Sequence, residues 1–466
     1  MRSARALLLA AACTGLTGVG CHRGDPGKAA GPAASSGPAV GAAGVLGTIQ
    51  GVVRVPGSLA PPQGGQHEVP TGGTQEFVFG EQGGGVAFVV VADGQSRVVH
   101  RGQVGQAYQE VGDVVLSRDG RRHAYAARVG GTWRMVVDGK EGVPCDRVGE
   151  PVFSQEGAHL AYPAKRGGRW HLIVDEQVGE GTRTRILGPE FSGDSSSIAF
   201  LEAAEEGDTA ERGRLVVSDL ALKARTVAGE GIASFRLDAA RTTAAAVSVD
   251  GEQARVLALA LARPGEVRRS PVYQGADGLA LGADGASLAY LAHRDGRDLV
   301  VLDGREQQLP PGADVLGGLV IRPDRKAVAA LVGIGEAVSL QEFFVGGRRP
   351  EQAYREAAEP VYAASGSLLA YAASRAAQWF LVVNGQEGPP FDRIVGPRFS
   401  PDGKKLVYRA RQEGRRFVVV ADLNGRTIRQ HPAYDQVFPV QFAPDGKSVA
   451  YGVKDGQVLA WKVEPL

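Results

Sequence analysis

A stretch such as "FSPDGKKLVYRARQEGRRFVVV", Phe399 to Val420, recurs in degraded copies along most of the chain. A repeat of this length restricts the possible folds more than any other feature of the sequence. With the residue in the place of Ser400 taken as zero, the copies fall at Gly80, Ser117, Ser154, Ser192, Asp238, Gly282, Arg322, Ala363, Ser400 and Ala443, at spacings of 37 to 46 residues. The register holds at positions not used to find it. Eight residues on stand Phe88, Tyr125, Tyr162, Phe200, Ala246, Tyr290, Ala330, Tyr371, Tyr408 and Tyr451, so eight of ten are Tyr or Phe in a chain where all aromatics make up 6%. One residue earlier the place is held by Ala in nine units and by Val407 in the other.

Pro401-Asp402-Gly403 has the chemistry of a reverse turn: proline presets φ, the carboxylate can accept a nearby backbone N–H, and glycine takes positive φ. After it the side chains alternate, with Leu406, Tyr408 and Ala410 on one face and Val407 on the other. Large groups on one face and small ones on the other suit a sheet packed on both sides. Units of about 40 residues with four short strands match the period of a propeller blade. One such sheet cannot bury both faces, so the units must stack in a ring. The fold class expected is therefore all-β, a β-propeller of about ten four-stranded blades, in one large ring or two smaller ones.

With "FSPDGKKLVY", "FAPDGKSVAY" and "FSQEGAHLAY" in view, the chain resembles the TolB-like, WD-related propeller repeats of many bacterial envelope proteins, over roughly residues 75 to 466. The resemblance implies a fold and leaves activity open. Units 5 and 7 ("RLDAARTTAAAV" and "IRPDRKAVAALV") lack the aromatic, as degraded blades or a seam between two rings would. The last unit stops one strand short, and Leu46 to Val55 is the expected strand that completes it and closes the ring.

The N-terminus carries a separate message. Arg2 and Arg5, a short apolar run from Ala6 and small residues before Cys21 have the form of a bacterial export signal over residues 1–20. "LTGVGC" resembles a lipoprotein lipobox, although Gly18 stands where Leu is usual; lipid attachment at Cys21 is the expectation, with Cys13 the weaker rival and an unmodified secretory signal the alternative. Residues 21–45 are too rich in Gly, Ala, Pro and Ser to bury a core and read as a tether of roughly 25–30 Å span, in which Arg23-Gly24-Asp25 is a chance triplet. The propeller is expected over 46–466.

Lys plus Arg (52) nearly equals Asp plus Glu (51), so no overall positive field draws in nucleic acid. Cys145 is the one cysteine in the body of the chain; it aligns with Phe391 and reads as a packing thiol rather than a nucleophile. The eight histidines show no zinc spacing, and His123 sits where other units place Val or Leu, as a strand residue. Ser192 to Ser197 ("SGDSSS") falls on a blade turn with Asp194 in the turn position, not on a nucleophile elbow. His293 to Asp295, which brushes against a kinase catalytic loop, lies between two strands without the other kinase elements. "VVDGKEG" (Val136 to Gly142) and "VVNGQEG" (Val382 to Gly388) read as Asx turns rather than calcium loops. No catalytic, cofactor or metal residue is assigned. The function expected is an envelope scaffold that binds a protein partner through blade loops or a ring face, exported to the periplasm or cell surface and held to the membrane through Cys21. The alternatives are a hydrolase or lyase, or capture of a peptide or glycan in the central channel. A cluster of charged side chains converging in the channel favours the alternatives; an apolar rim favours a protein partner.

Overall fold

Two kinds of tight turn recur along the chain. After the first strand, Ser400 Oγ donates to Asp402 Oδ1 at 2.6 Å, Asp402 Oδ1 accepts the Lys404 N–H at 3.1 Å, and Gly403 closes the turn at φ 68. The same bonds recur at Ser117/Asp119 and Ser192/Asp194, and the donated hydroxyl holds the Asp194 and Asp402 carboxyls below their ordinary range. Many of the later turns are two-residue reversals in which both residues have positive φ, as at Asp138-Gly139, Asn384-Gly385 and Glu413-Gly414. That is the type I′ hairpin, whose twist matches the flanking strands. In the computed structural model, which describes residues 43–49, 52–53, 77–203, 212–345, 352–366, 368–443 and 446–466, these turns give antiparallel meanders such as Arg393–Phe399, Leu406–Gln412, Arg415–Ala421 and Thr427–Gln430, hydrogen-bonded in chain order. The ten units are ten blades, numbered here in chain order.

Packing between blades explains the aromatic and the alanine together. Leu406, Tyr408 and Ala410 pack back onto blade 8, against Ala370 and Phe391, whereas Val407 faces forward, where Tyr451 of blade 10 covers it. Ala87 meets Tyr125, Ala124 meets Tyr162, and Ala245 meets Tyr290 in the same way. A larger residue at the alanine position would occupy the volume of the next blade's ring. All eight repeat aromatics are at most 6% exposed. Blades 5 and 7 are ordinary members of the ring: Leu257 and Leu259 fill the space left by Ala246, and Phe343 packs with Ala330.

The blades form one ring. Every seam from blade 1–2 to blade 9–10 holds an apolar cluster, and a further cluster joins blade 10 to blade 1, with Phe438 and Leu459 against Phe77, Val86 and Phe88. Blades 4 and 5 share one bent strand, Arg225–Leu237, which is the outer strand of one and the inner strand of the next. Closure comes from Gly44–Thr48, which pairs antiparallel with Val458–Pro465 as the outer strand of blade 10. Val52–Val53 then joins the inner part of blade 1. The closing strand thus starts two residues before the expected Leu46 and ends at Thr48, well before Val55, with the Ile49 N–H bonded to Gln457 O at 2.8 Å. Cys21, the signal and the tether up to residue 42 lie outside the described residues, whereas Gly44 and Val45, expected to be tether, belong to the closing strand.

Candidate functional site

The first strand of each blade lies nearest the axis, where first strands of neighbouring blades touch, as Gly275–Leu281 does Asp314–Ile321 and Glu356–Tyr362 does Arg393–Phe399. Ladder pairing breaks in the middle of these strands, between Val111 and Val114, Leu187 and Glu190, Asp277 and Ala280, Leu316 and Val320, Ala358 and Val361, and Val395 and Arg398. Glycine and proline concentrate there: Gly188-Pro189, Gly396-Pro397, Pro360. Proline is tolerated because the inner edge has no further strand to bond, and a bulge bends the strand around a wide opening.

Exposed residues of these inner segments include Asp113, Ser234 and Asp277 within strands and Glu150 in the gap between Arg147–Val148 and Val152–Phe153, so blades 2, 3 and 6 present carboxylates. Asp277 is pushed above the usual carboxyl range by burial and by Asp298. Glu190 is likewise raised by burial, offset in part by Arg241 of blade 5, whose Nη1 lies 3.3 Å away.

The most organised part of the wall spans blades 8 to 10. Glu359 sits at φ 54, in a bulge position that Gly188, Gly278 and Gly396 occupy at φ 54 to 66 in other blades. A non-glycine residue in the left-handed region costs about 1–2 kcal/mol. Its Oε2 accepts the N–H of Gly396 in the next blade. Arg409 of the second strand lies beside Gly396 and donates from Nη1 to Val437 O at 3.1 Å. Arg398 donates to Val440 O at 2.8 Å and to Gln441 Oε1 at 3.4 Å. Burial holds both guanidinium pKa values down, countered for Arg409 by Glu359 and for Arg398 by Glu81 of blade 1. A carboxylate and two guanidiniums are therefore fixed on blades 8 and 9 by main-chain bonds. Such a wall can grip a ligand of mixed charge.

The residues singled out in the sequence lie elsewhere. Cys145 is buried against Met135, Leu160 and Tyr162, its Sγ 3.4 Å from Val143 O and its pKa raised by burial. Ser192 and Asp194 make the blade 4 turn. His293 pairs with Asp298 at 2.8 Å on the surface of blade 6. The Asx reading of Asp138 and Asn384 is corrected: their side chains reach across the blade and accept the N–H that opens the second strand, His123 at 2.9 Å and Leu369 at 3.0 Å, while the turn itself needs only their positive φ. The tunnel residues were missed because their signal is a Gly-Pro pair or a lone charge a few residues before each repeat zero.

These sheets, arranged radially around an axis and closed by an N-terminal strand, define a β-propeller. No family model and no curated protein matches the chain. Solved structures similar to it include a eukaryotic initiation factor (14% identity, 75% of this chain and 96% of that one, TM-score 0.45). Others are the β-propeller domain of the Trilobed protease from Pyrococcus furiosus (11%, 60% and 95%, TM-score 0.34) and TolB from Acinetobacter baumannii (15%, 70% and 81%, TM-score 0.27). The assignment rests on the chain's own sheet topology.

Proposed function

We propose that this chain is a cell-envelope binding protein, exported and lipidated at Cys21, whose ring takes a polar segment of a protein partner into its tunnel. The observation that carries the reading is Glu359, held in a conformation that three other blades give to glycine, with its carboxylate on the Gly396 N–H and close enough to Arg409 to raise that guanidinium's pKa. Strain retained at a tunnel-lining position points to a use for the side chain there. A peptide or glycan captured by the same wall is the nearest alternative. The test compares wild type with Glu359→Gln/Arg409→Gln and with the perimeter control Val104→Asp in crosslinked envelope fractions. The expected result is loss of one crosslinked partner in the tunnel variant alone. A partner lost only in the perimeter variant, or turnover of ester, peptide or glycan substrates, overturns the reading. Unchanged fractionation of Cys21→Ser overturns the anchor.

A further inference from the structure

The repeat makes departures from itself visible, and three of them meet at the seam between blades 1 and 2. His123 opens the second strand of blade 2 where the other blades have Val86, Leu160, Ile198, Ala244, Leu288, Val328, Leu369, Leu406 and Val449. His100 ends the third strand of blade 1 opposite the small residue of the second, a place held elsewhere by Val137, Val174, Leu302, Val383 and Val420. Arg101 takes the turn position that Asp138, Asp175, Asp303 and Asn384 occupy, and takes it at φ 52. Two apolar places and one Asx place have thus been exchanged for two imidazoles and a guanidinium.

The exchanged side chains converge. The imidazoles of His100 and His123 lie 4.4 Å apart between ring centres. His100 Nε2 is 2.9 Å from Gly120 O, a contact permitted by Gly80 and Gly85, where any Cβ would strike the backbone of Gly120. This tautomer carries its proton on Nε2. His123 Nδ1 is buried without a hydrogen-bond partner, 3.7 Å from Asp138. Together with Arg101, Arg121 and Arg122 they line an open cleft of about 510 Å³. Arg122 is fixed by Asp138 Oδ2 at 2.9 Å and by Gly157 O and Ala158 O of blade 3, while Arg121 is exposed and 3.7 Å from Asp119. Three guanidiniums against the single lining carboxylate make the cleft positive.

We infer that this cleft is a binding site for a phosphate group, either on a small phosphomonoester or on a phospholipid headgroup. A phosphomonoester carries about −1.5 to −2 charges at neutral pH and offers three acceptor oxygens, which the exposed guanidiniums of Arg101 and Arg121 match as donors. A cation is disfavoured by the same guanidiniums. Burial holds His123 down at about 4 and His100 below its ordinary value, so both are neutral at pH 7. An anion placed among Arg101, Arg121, Arg122 and Asp138 favours the protonated imidazole, and binding takes up a proton.

The test titrates the purified propeller by calorimetry with inorganic phosphate and with glycerol phosphate, and by flotation with phosphatidylcholine vesicles containing phosphatidic acid. Binding of the soluble ester assigns a small molecule, and binding of vesicles alone assigns a headgroup. Returning the site to the repeat pattern (His100→Val, Arg101→Asp, His123→Leu) removes an imidazole pair from a buried seam and is expected to keep the melting temperature or raise it, while weakening binding at least tenfold. Arg121→Gln, on the surface, serves as the second variant and loses about tenfold. Affinity for sulfate, whose charge is constant from pH 7 to 5, rises as pH falls in wild type and stays flat in His123→Leu. Failure of every phosphate probe at millimolar concentration, or equal binding by wild type and both variants, overturns the site.

Discussion

Replacing Gly83 by alanine strikes the one seam that the chain closes last. Gly83 lies in the first turn of blade 1 at φ 83, and an added Cβ would fall inside the indole of Trp461, a fully buried residue of blade 10. The left-handed backbone alone costs a non-glycine residue about 1–2 kcal/mol, and forcing a methyl into a packed core adds about 1–3 kcal/mol. Gly94→Ala separates the two: its φ is 71, and its Cβ would meet nothing within 4 Å, so it carries the backbone cost without the collision. The difference of about 1–3 kcal/mol belongs to the blade 10–1 seam. Because melting entropy grows with chain length, each kcal/mol shifts the melting temperature of a ring this large by about 1–2 °C. Calorimetry is therefore expected to place Gly83→Ala roughly 1–6 °C below Gly94→Ala, with limited proteolysis first releasing the segment around residues 44–53. Equal melting temperatures, or a lower one for Gly94→Ala, would refute the account of closure.

Three further outcomes are expected. Tyr451 is fully buried with a hydroxyl that lacks a partner, so Tyr451→Phe should stabilise the ring by about 1 kcal/mol in urea unfolding, and destabilisation would show that the hydroxyl is bonded. Glu359→Gly should be more stable than Glu359→Ala by about 1–2 kcal/mol, because alanine keeps the strained φ and glycine does not; the reverse order would remove the strain argument. His123 binds a proton near pH 6.5 when unfolded and only near pH 4 in the ring. The unfolded chain therefore holds more protons between those values, and stability falls as pH drops through that window, by up to about 3 kcal/mol in phosphate-free buffer. His123→Leu should flatten that part of the pH profile of urea midpoints.

The blades were legible in the sequence because side-chain alternation and turn chemistry are local: Ser400-Pro401-Asp402-Gly403 and the Ala-Tyr pair state the turn, the strand and both faces within ten residues. Closure into one ring was not, because Ala246 and Ala330 leave gaps whose filling depends on residues of the following strand, Leu257 and Leu259 in blade 5 and Phe343 in blade 7. A second signal went unread. Tyr108, Tyr273, Tyr354, Phe391 and Tyr434 each stand seventeen residues before a repeat aromatic, and the first four of these lie 5.9 to 6.1 Å from it between ring centres, edge to face. Cys145 holds the same place before Tyr162, which is why it is buried. The tunnel wall escaped notice for a different reason: Glu359, Arg398 and Arg409 acquire meaning only when the ring brings blades 8, 9 and 10 to a common axis, and no spacing along the chain encodes that axis.

The pairing of Gly44–Thr48 with Val458–Pro465 also fixes an order of assembly. Of the described strands, the first to leave the ribosome must wait, unpartnered, until the last has been made. A chain threaded across a membrane from its N-terminal end would carry nine finished blades as an open arc before the tenth could be sealed, and any factor that occupied residues 44–48 during that interval would decide when the circle shuts.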